Sequence, residues 1–199
     1  MSAVLLVRLK ITDLTAWTAL HTGRGLLPAG HELLRLSREQ LLLFEPEEEG
    51  RAASFEEGLL RAITGSNFFV NPNKEAYRFL RSSQRGEWWA PPEGAWGLLA
   101  RSREDTRDEG LMERLKREHP LPGLRGIRRA RVYWLWTRGP DGGPAVSVCL
   151  NALGATRSVR EGLLLNPHAE ASLPIEERIA WKDVETFLTA AAPAYGAAA

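Results

Sequence analysis

The chain has very little cysteine: Cys149 is the one example among 199 residues, so no internal disulfide can form. It lies in the apolar run AVSVCLNAL, which favours a buried, inert thiol over a nucleophile. The histidines are scattered, at His21, His31, His119 and His168. They form no metal-ligand pattern, and no glycine-rich phosphate loop or recognisable Cys-His motif is present. We therefore expect a reducing compartment, the cytoplasm, and no catalytic residue, metal or cofactor.

The chain also lacks strong net charge and long hydrophobic runs. Its formal charge is +1, so no overall field draws it toward nucleic acid or an anionic membrane. No window approaches the roughly 20 apolar residues that cross a bilayer. The first run, MSAVLLVRLKI, is interrupted by Arg8 and Lys10 and predicts a strand rather than a signal peptide. Hydrophobic residues make up 44%, which is near the globular average and predicts a buried core.

Twice the chain has an apolar triplet, then Asn-Pro, then Glu three residues after the proline. The two copies comprise Asn71, Pro72 and Glu75, and Asn166, Pro167 and Glu170. Proline disfavours helical backbone for the residue before it, so each Asn should end a helix. The Asn amide can bond back to the main chain at a turn, and proline is tolerated at the start of a strand. Both copies therefore predict a helix-to-strand corner.

Other runs recur at offsets of 91 to 95 residues. VLLVRLKITD from Val4 aligns with WGLLARSRED from Trp96, and LSREQLLLFE from Leu36 aligns with IRRARVYWLW from Ile127. The recurrence predicts two modules, each with strand, helix, long strand, helix, Asn-Pro corner and strand. A unit of about 80 residues is marginal alone, so we expect the two to bury surface together.

The predicted boundaries are residues 1–82 for module 1, 83–95 for a linker, 96–173 for module 2 and 174–199 for a C-terminal helix with an Ala-rich tail. The linker contains Trp88 and Trp89, so we expect it to pack rather than to hang free.

Three helix starts are predicted before the C-terminal helix. The first helix follows Asp13, with Leu14, Trp17 and Leu20 on one face. Capping boxes begin the others, formed by Ser54 with Glu57 and by Thr106 with Glu109. The last predicted helix, IEERIAWKDVETFL, begins at Ile175.

A small module with this element order and this corner resembles the PurS subunit of phosphoribosylformylglycinamidine (FGAM) synthase. FFVNPNKEAY and LLLNPHAEAS match the corner, and GIRRARVYWLW is similar to the family's second strand. Asp13 and Asp105 stand where the family begins its first helix. The family's Asp-Pro-Gln-Gly is replaced by DLTA and DTRD, and its Gly-Lys by Ser37-Arg38 and Arg128-Arg129. These departures concern partner contacts more than the fold.

The resemblance implies an α+β fold of two tandem PurS-like (ferredoxin-like) modules, with antiparallel sheets, helices packed on one face, and an internal pseudo-dimer. It also implies a non-catalytic subunit of de novo purine biosynthesis. Its partners are then the large synthetase subunit and the glutaminase subunit of FGAM synthase, which carry out the chemistry. The chain acts as a monomeric pseudo-dimer or a higher homo-oligomer. The Asn-Pro-Glu residues shape the corners, and Arg128, Arg129 and Arg131 are the candidate partner contacts.

Two alternatives remain open. Arginines and aromatic residues of the segment Arg128–Trp136 could hold single-stranded RNA on a sheet, although the RNP1 pattern is absent and the net charge is near zero. Alternatively, the paired modules could be a small-ligand regulatory pair. We do not expect a nucleic-acid or membrane partner.

Overall fold

The computed structural model describes residues 2–47, 52–83, 86–104, 107–138, 150–154 and 162–190. Its strands are β1 (Ala3–Leu9), β2 (Leu33–Pro46), β3 (Glu75–Leu80), β4 (Trp88–Trp89), β5 (Trp96–Ser102), β6 (Leu124–Thr137), β7 (Glu170–Ile175) and β8 (Ile179–Ala180). Its helices are α1 (Leu14–Leu26), α2 (Ala52–Gly65), α3 (Glu109–Glu118) and α4 (Trp181–Thr189), with short turns at Gly30–Glu32 and Leu150–Gly154. The expected α+β class is confirmed.

The strands form one six-stranded antiparallel sheet in the order β3-β1-β2-β6-β5-β7, and β4 pairs with β8 separately. In each half of the chain the first strand of the sheet, β1 or β5, lies between the other two strands of that half. The halves meet where β2 runs antiparallel to β6, each of them 14 residues long. The antiparallel strands were therefore predicted correctly, and they build a single continuous sheet.

The strand register is the same in both halves. Val4 of β1 pairs with Leu80 of β3, and Gly97 of β5 pairs with Ile175 of β7. Val7 pairs with Gln40 of β2 in the first half, and Ala100 pairs with Arg131 of β6 in the second. Gln40 and Arg131 thus hold equivalent positions, and they also pair with each other across the β2–β6 junction.

Side chains alternate between two sheet faces, as strand geometry requires. The helical face carries Leu5 and Tyr133 and is covered by α1, α2 and α3. The opposite face, here called the C-terminal face, carries Val4 and Val132 and is covered by α4 together with Trp89 of the linker. The expected placement of helices on one face therefore holds for α1 to α3, whereas α4 lies on the other face.

Both cores on the helical face contain residues from both halves of the chain. One core combines Leu5 and Leu59 with Leu115 of α3. The other combines Ala16 of α1 with Leu98 and Leu135. Neither half supplies a complete core on this face, so the two halves interlock more closely than the predicted boundaries at residues 82 and 96 imply.

Of the two linker tryptophans expected to pack, Trp89 does so and Trp88 is exposed. Trp89 is buried and stacks on Trp181, with ring centroids 4.8 Å apart and an interplanar angle of 10°. The expected helix from Ile175 is wrong at its start, because Ile175 ends strand β7 and the following Ile179 pairs with the linker. The helix begins only at Trp181, whose amide donates to the Glu87 carbonyl. Strand pairing thus prevails over helical periodicity in these six residues.

The helix starts agree only in part with the expectations. The Asp13 side chain accepts from the Thr15 and Ala16 amides, which confirms it as the cap of α1. The predicted capping box of Ser54 and Glu57 is wrong. Ser54 and Glu57 lie inside α2, and α3 is capped by Asp108, which accepts from Leu111 N at 3.0 Å. The other predicted positions Asp105, Thr106 and Cys149 lie outside the described residues.

The face of helix α1 that packs on the sheet is not the one that the spacing of its apolar residues predicts. Leu14 and Trp17 are exposed, whereas Ala16 and Gly23 are buried. The turn after α1 packs tightly against the end of the helix, because a Cβ on Gly30 would lie 1.8 Å from the Gly23 carbonyl oxygen. Only small residues allow the chain to approach this closely.

Candidate functional site at the centre of the helical face

Arg128 does not lie with the other two predicted contact arginines. It occupies the C-terminal face, where its Nε donates to Glu45 Oε1 at 2.9 Å. Glu45 is only 2% exposed, and the Arg128 side chain is 11% exposed. Arg125 approaches the same carboxylate at 3.8 Å. Because a buried charge without a partner is costly, the first role of Arg128 is to neutralise Glu45.

Arg129 and Arg131 lie together on the helical face and are about half exposed, at 52% and 43%. Arg129 forms an ion pair with Asp108, the cap of α3. Arg131 forms an ion pair with Glu170 of the second Asn-Pro corner. Both guanidinium groups are therefore oriented by acids of the same chain while keeping surface that a partner can reach.

The first half has a matching ion pair that sequence reasoning missed. Arg38 contacts both carboxylate oxygens of Asp13, at 3.0 and 3.2 Å. Asp13 caps α1, and Asp108 caps α3 in the same way. Each of these aspartates also pairs with an arginine of a central strand. Carboxylates are favoured at helix N-termini, so these aspartates serve helix and strand together. The sequence could have indicated this pair, because Arg38 and Arg129 are 91 residues apart, which is the offset between the two long strands.

The first Asn-Pro corner closes on itself. The Asn71 amide donates to Glu75 Oε2 at 2.7 Å, and the Asn71 side chain accepts from Asn73 N at 3.1 Å. The Asn71 carbonyl in turn accepts from the amides of Lys74 and Glu75. The side chains at both ends of the motif thus satisfy main-chain groups that the turn leaves unpaired.

The second corner has the same bonds. The Asn166 amide donates to Glu170 Oε2 at 3.0 Å, and the Asn166 side chain accepts from His168 N at 3.1 Å. The amides of Ala169 and Glu170 donate to the Asn166 carbonyl. Strands β3 and β7 begin at Glu75 and Glu170, so the predicted corner residues do lead into strands. The expectation that Asn71 ends a helix is wrong, because α2 already ends at Gly65.

These side chains surround a cleft, here called the central cleft, lined by Asp13, Arg38, Gln40, Glu75, Asp108, Arg129, Arg131 and Glu170. It consists of two adjoining cavities of about 470 and 310 Å³, and Arg129 and Arg131 line both. Arginines and carboxylates both line it, so the cleft has charges of both signs. Such a surface can recognise a partner by exchanging internal ion pairs for intermolecular ones.

No group of three or more metal-ligating side chains occurs among the described residues. Three of the histidines contact residues outside the cleft lining: His21 contacts Trp17, His119 contacts Phe68, and His31 bonds the Pro28 carbonyl.

The aromatic residues of β6 are not displayed. Tyr133 and Trp134 are buried, and Trp136 lies under the Arg35 guanidinium, 4.4 Å from its ring centroid. Base stacking needs exposed ring faces. Tyr133 and Trp134 therefore offer RNA no platform.

Comparisons of the chain with protein-family models, with curated proteins and with solved structures gave no match. Within the described ranges, no helix is both long and apolar enough to cross a membrane.

Proposed function

We propose that this protein is a non-catalytic PurS-like subunit, which bridges the synthetase and glutaminase subunits of FGAM synthase in purine biosynthesis. In this proposal its halves are two copies of one PurS-like module of the ferredoxin-like type, and they form an internal pseudo-dimer. The resemblance of both Asn-Pro corners to the family is the sequence basis.

The observation that carries the proposal is the pairing of Gln40 with Arg131. These residues hold equivalent positions in the two halves, and the strands on either side keep equivalent registers. A two-fold interface brings the same surface of two subunits together, so equivalent residues on the axis face each other. A duplicated module that kept its dimer contact has this arrangement in one chain.

The central cleft is the partner surface in this proposal. It straddles the Gln40–Arg131 pair and presents Arg129 and Arg131 at its rim. Arginine is enriched in protein interfaces, and charged rims steer association. The side-chain exposure makes Arg129 and Arg131 better candidates than Arg128.

The experiment is to purify the tagged protein gently from its own host, with glutamine and ADP-magnesium present, and to identify what accompanies it. The proposal predicts a synthetase and a glutaminase in the eluate. Co-purifying RNA instead supports the RNA alternative, and the recovery of neither contradicts the bridging role. The double variant Arg129→Gln/Arg131→Gln should lose both partners, whereas Arg61→Gln, an exposed arginine on α2, should keep them.

A further inference from the structure

A second cavity with an unusual set of side chains lies on the C-terminal face, away from the central cleft. Its volume is about 340 Å³. Strands β1, β2 and β3 contribute Arg8, Glu39 and Arg78, strand β6 contributes Trp134, and the linker closes one side with Pro91 and Pro92. We call it the linker cavity. Its size falls in the range of small-molecule sites, at the lower end of roughly 300 to 1,000 Å³.

The equivalent place in the second half is filled. Arg8 pairs with Ala76, as Arg101 pairs with Ala171. Arg101 is only 4% exposed, because α4 covers it. Its Nη2 donates to the Ala190 carbonyl at 2.9 Å, and its guanidinium lies 5.1 Å from the Phe187 ring centroid. Burial, with smaller effects of Arg128 and Arg103, lowers the pKa of Arg101.

No such cover lies over the first half within the described ranges. Arg8 and Arg78 are exposed there, and neither guanidinium group donates a hydrogen bond to or forms an ion pair with any described residue. Arg78 pairs with Leu6, two residues before Arg8, so both guanidinium groups rise from the same face of neighbouring strands. Two adjacent arginines without acid partners are suited to bind a carboxylate.

Two residues that line the linker cavity each have a buried polar atom without a hydrogen-bond partner. These are Glu39 Oε2, an acceptor, and Trp134 Nε1, a donor. Trp134 is 2% exposed. Buried polar atoms in native proteins nearly always form hydrogen bonds, so each exception needs an explanation. Glu39 lines the cavity beside the two arginines, so its carboxylate can accept a hydrogen bond from a bound molecule.

The charges narrow the class of ligand. Two guanidinium groups and one carboxylate leave the cavity with a net charge of one positive unit. A dianionic phosphate monoester places negative oxygens beside Glu39, which disfavours it. A carboxylate can occupy the two arginines, while an amino or hydroxyl group beside it donates to Glu39. We propose that the linker cavity binds a small α-amino or α-hydroxy acid.

The test uses isothermal titration of the full-length protein with L-alanine, L-leucine, L-glutamine, L-lactate and inorganic phosphate. At least one of the carboxylates should bind with one-to-one stoichiometry, and more tightly than phosphate. Arg8→Gln and Arg78→Gln should each weaken that binding about ten- to a hundredfold, as expected for loss of a charged hydrogen bond. The control Arg61→Gln should bind as the unchanged protein does.

The variant Glu39→Gln distinguishes a ligand with an ammonium group from one with a hydroxyl group beside its carboxylate. It should weaken the binding of an amino acid, whose ammonium group loses a charged partner, more than that of L-lactate. Far-UV circular dichroism checks the fold of each variant, and Arg78→Lys replaces any variant that does not fold. The inference is overturned if no carboxylate binds, if phosphate binds most tightly, or if both arginine variants bind normally. Because the site lies on the other face from the central cleft, these outcomes are independent of the bridging role.

Discussion

Gln40 lies opposite Arg131 at the middle of the six-stranded sheet. The two residues occupy equivalent positions, Gln40 in the first half of the chain and Arg131 in the second. The pair marks the centre about which the strands of the two halves are arranged. Around it, one half contributes a neutral amide and the other a guanidinium, so the arrangement of the strands is symmetric but the chemistry is not.

The halves should depend on each other for folding. Leu115 of the second half packs with Leu5 and Leu59 of the first, and the β2–β6 junction joins the two parts of the sheet. Fragments 1–82 and 96–199, made separately, should each lack a cooperative thermal transition by circular dichroism, because each exposes half of two cores. Mixing them should restore one. Cooperative unfolding of either fragment alone contradicts the interlocked cores.

The corner glutamates should contribute measurably to stability. Glu75→Ala removes the acceptor of the Asn71 amide and should lower the free energy of unfolding by about 1–2 kcal/mol, measured by urea denaturation. Glu170→Ala should cost at least as much, because Glu170 also pairs with Arg131. Glu176→Ala, at an exposed position just after β7, is the control and should change stability by less than about 0.5 kcal/mol. Equal losses in all three variants argue against the proposed bonds.

Arg128 and Arg129 are neighbours in sequence but should respond differently to substitution. Arg128→Met leaves the buried Glu45 without its closest partner and should destabilise the protein by about 3–5 kcal/mol. Arg129→Met breaks a half-exposed pair and should cost no more than about 1 kcal/mol. Urea denaturation of both variants checks the difference. In the double variant Arg128→Met/Glu45→Leu much of the loss should be recovered, and a failure to recover it assigns the cost to packing instead.

Two glycine substitutions should have opposite signs. A Cβ on Gly97 would lie 2.5 Å from the Trp134 ring and 3.2 Å from Ile175, so Gly97→Ala should destabilise the sheet by about 1–3 kcal/mol. Gly25 lies inside α1 with no atom within 4 Å of such a Cβ, so Gly25→Ala should stabilise the protein by about 0.5–1 kcal/mol. Thermal unfolding measures both. A stabilising Gly97→Ala means that β5 and β6 lie farther apart than this close approach requires.

The sequence predicted best those features that short-range rules decide. The Asn-Pro-x-x-Glu corners, the strand at Ala3–Leu9 and the cap at Asp13 each depend on a few neighbouring residues. Side-chain alternation along β6 is another such rule, and by itself it places Arg128 on one sheet face and Arg129 and Arg131 on the other.

Features that depend on distant partners were not predictable in this way. The Ser-x-x-Glu pattern also occurs inside helices, so Ser54 could not be recognised as an interior residue of α2 without the helix's surroundings. Ile175 and Ile179 fit a helical period, but their pairing partners, Gly97 and Trp89, lie about 80 to 90 residues away in the chain. The central cleft likewise requires the β2–β6 pairing, which no local pattern encodes.

The most direct test of the bridging role is the rate of glutamine-dependent amidine formation by purified synthetase and glutaminase subunits from the same host. The reaction is measured with formylglycinamide ribonucleotide and ATP, with and without this protein. The account predicts that the rate rises when the protein is added, and that the Arg129→Gln/Arg131→Gln variant raises it far less than Arg61→Gln does. An unchanged rate on addition of the folded protein would contradict it.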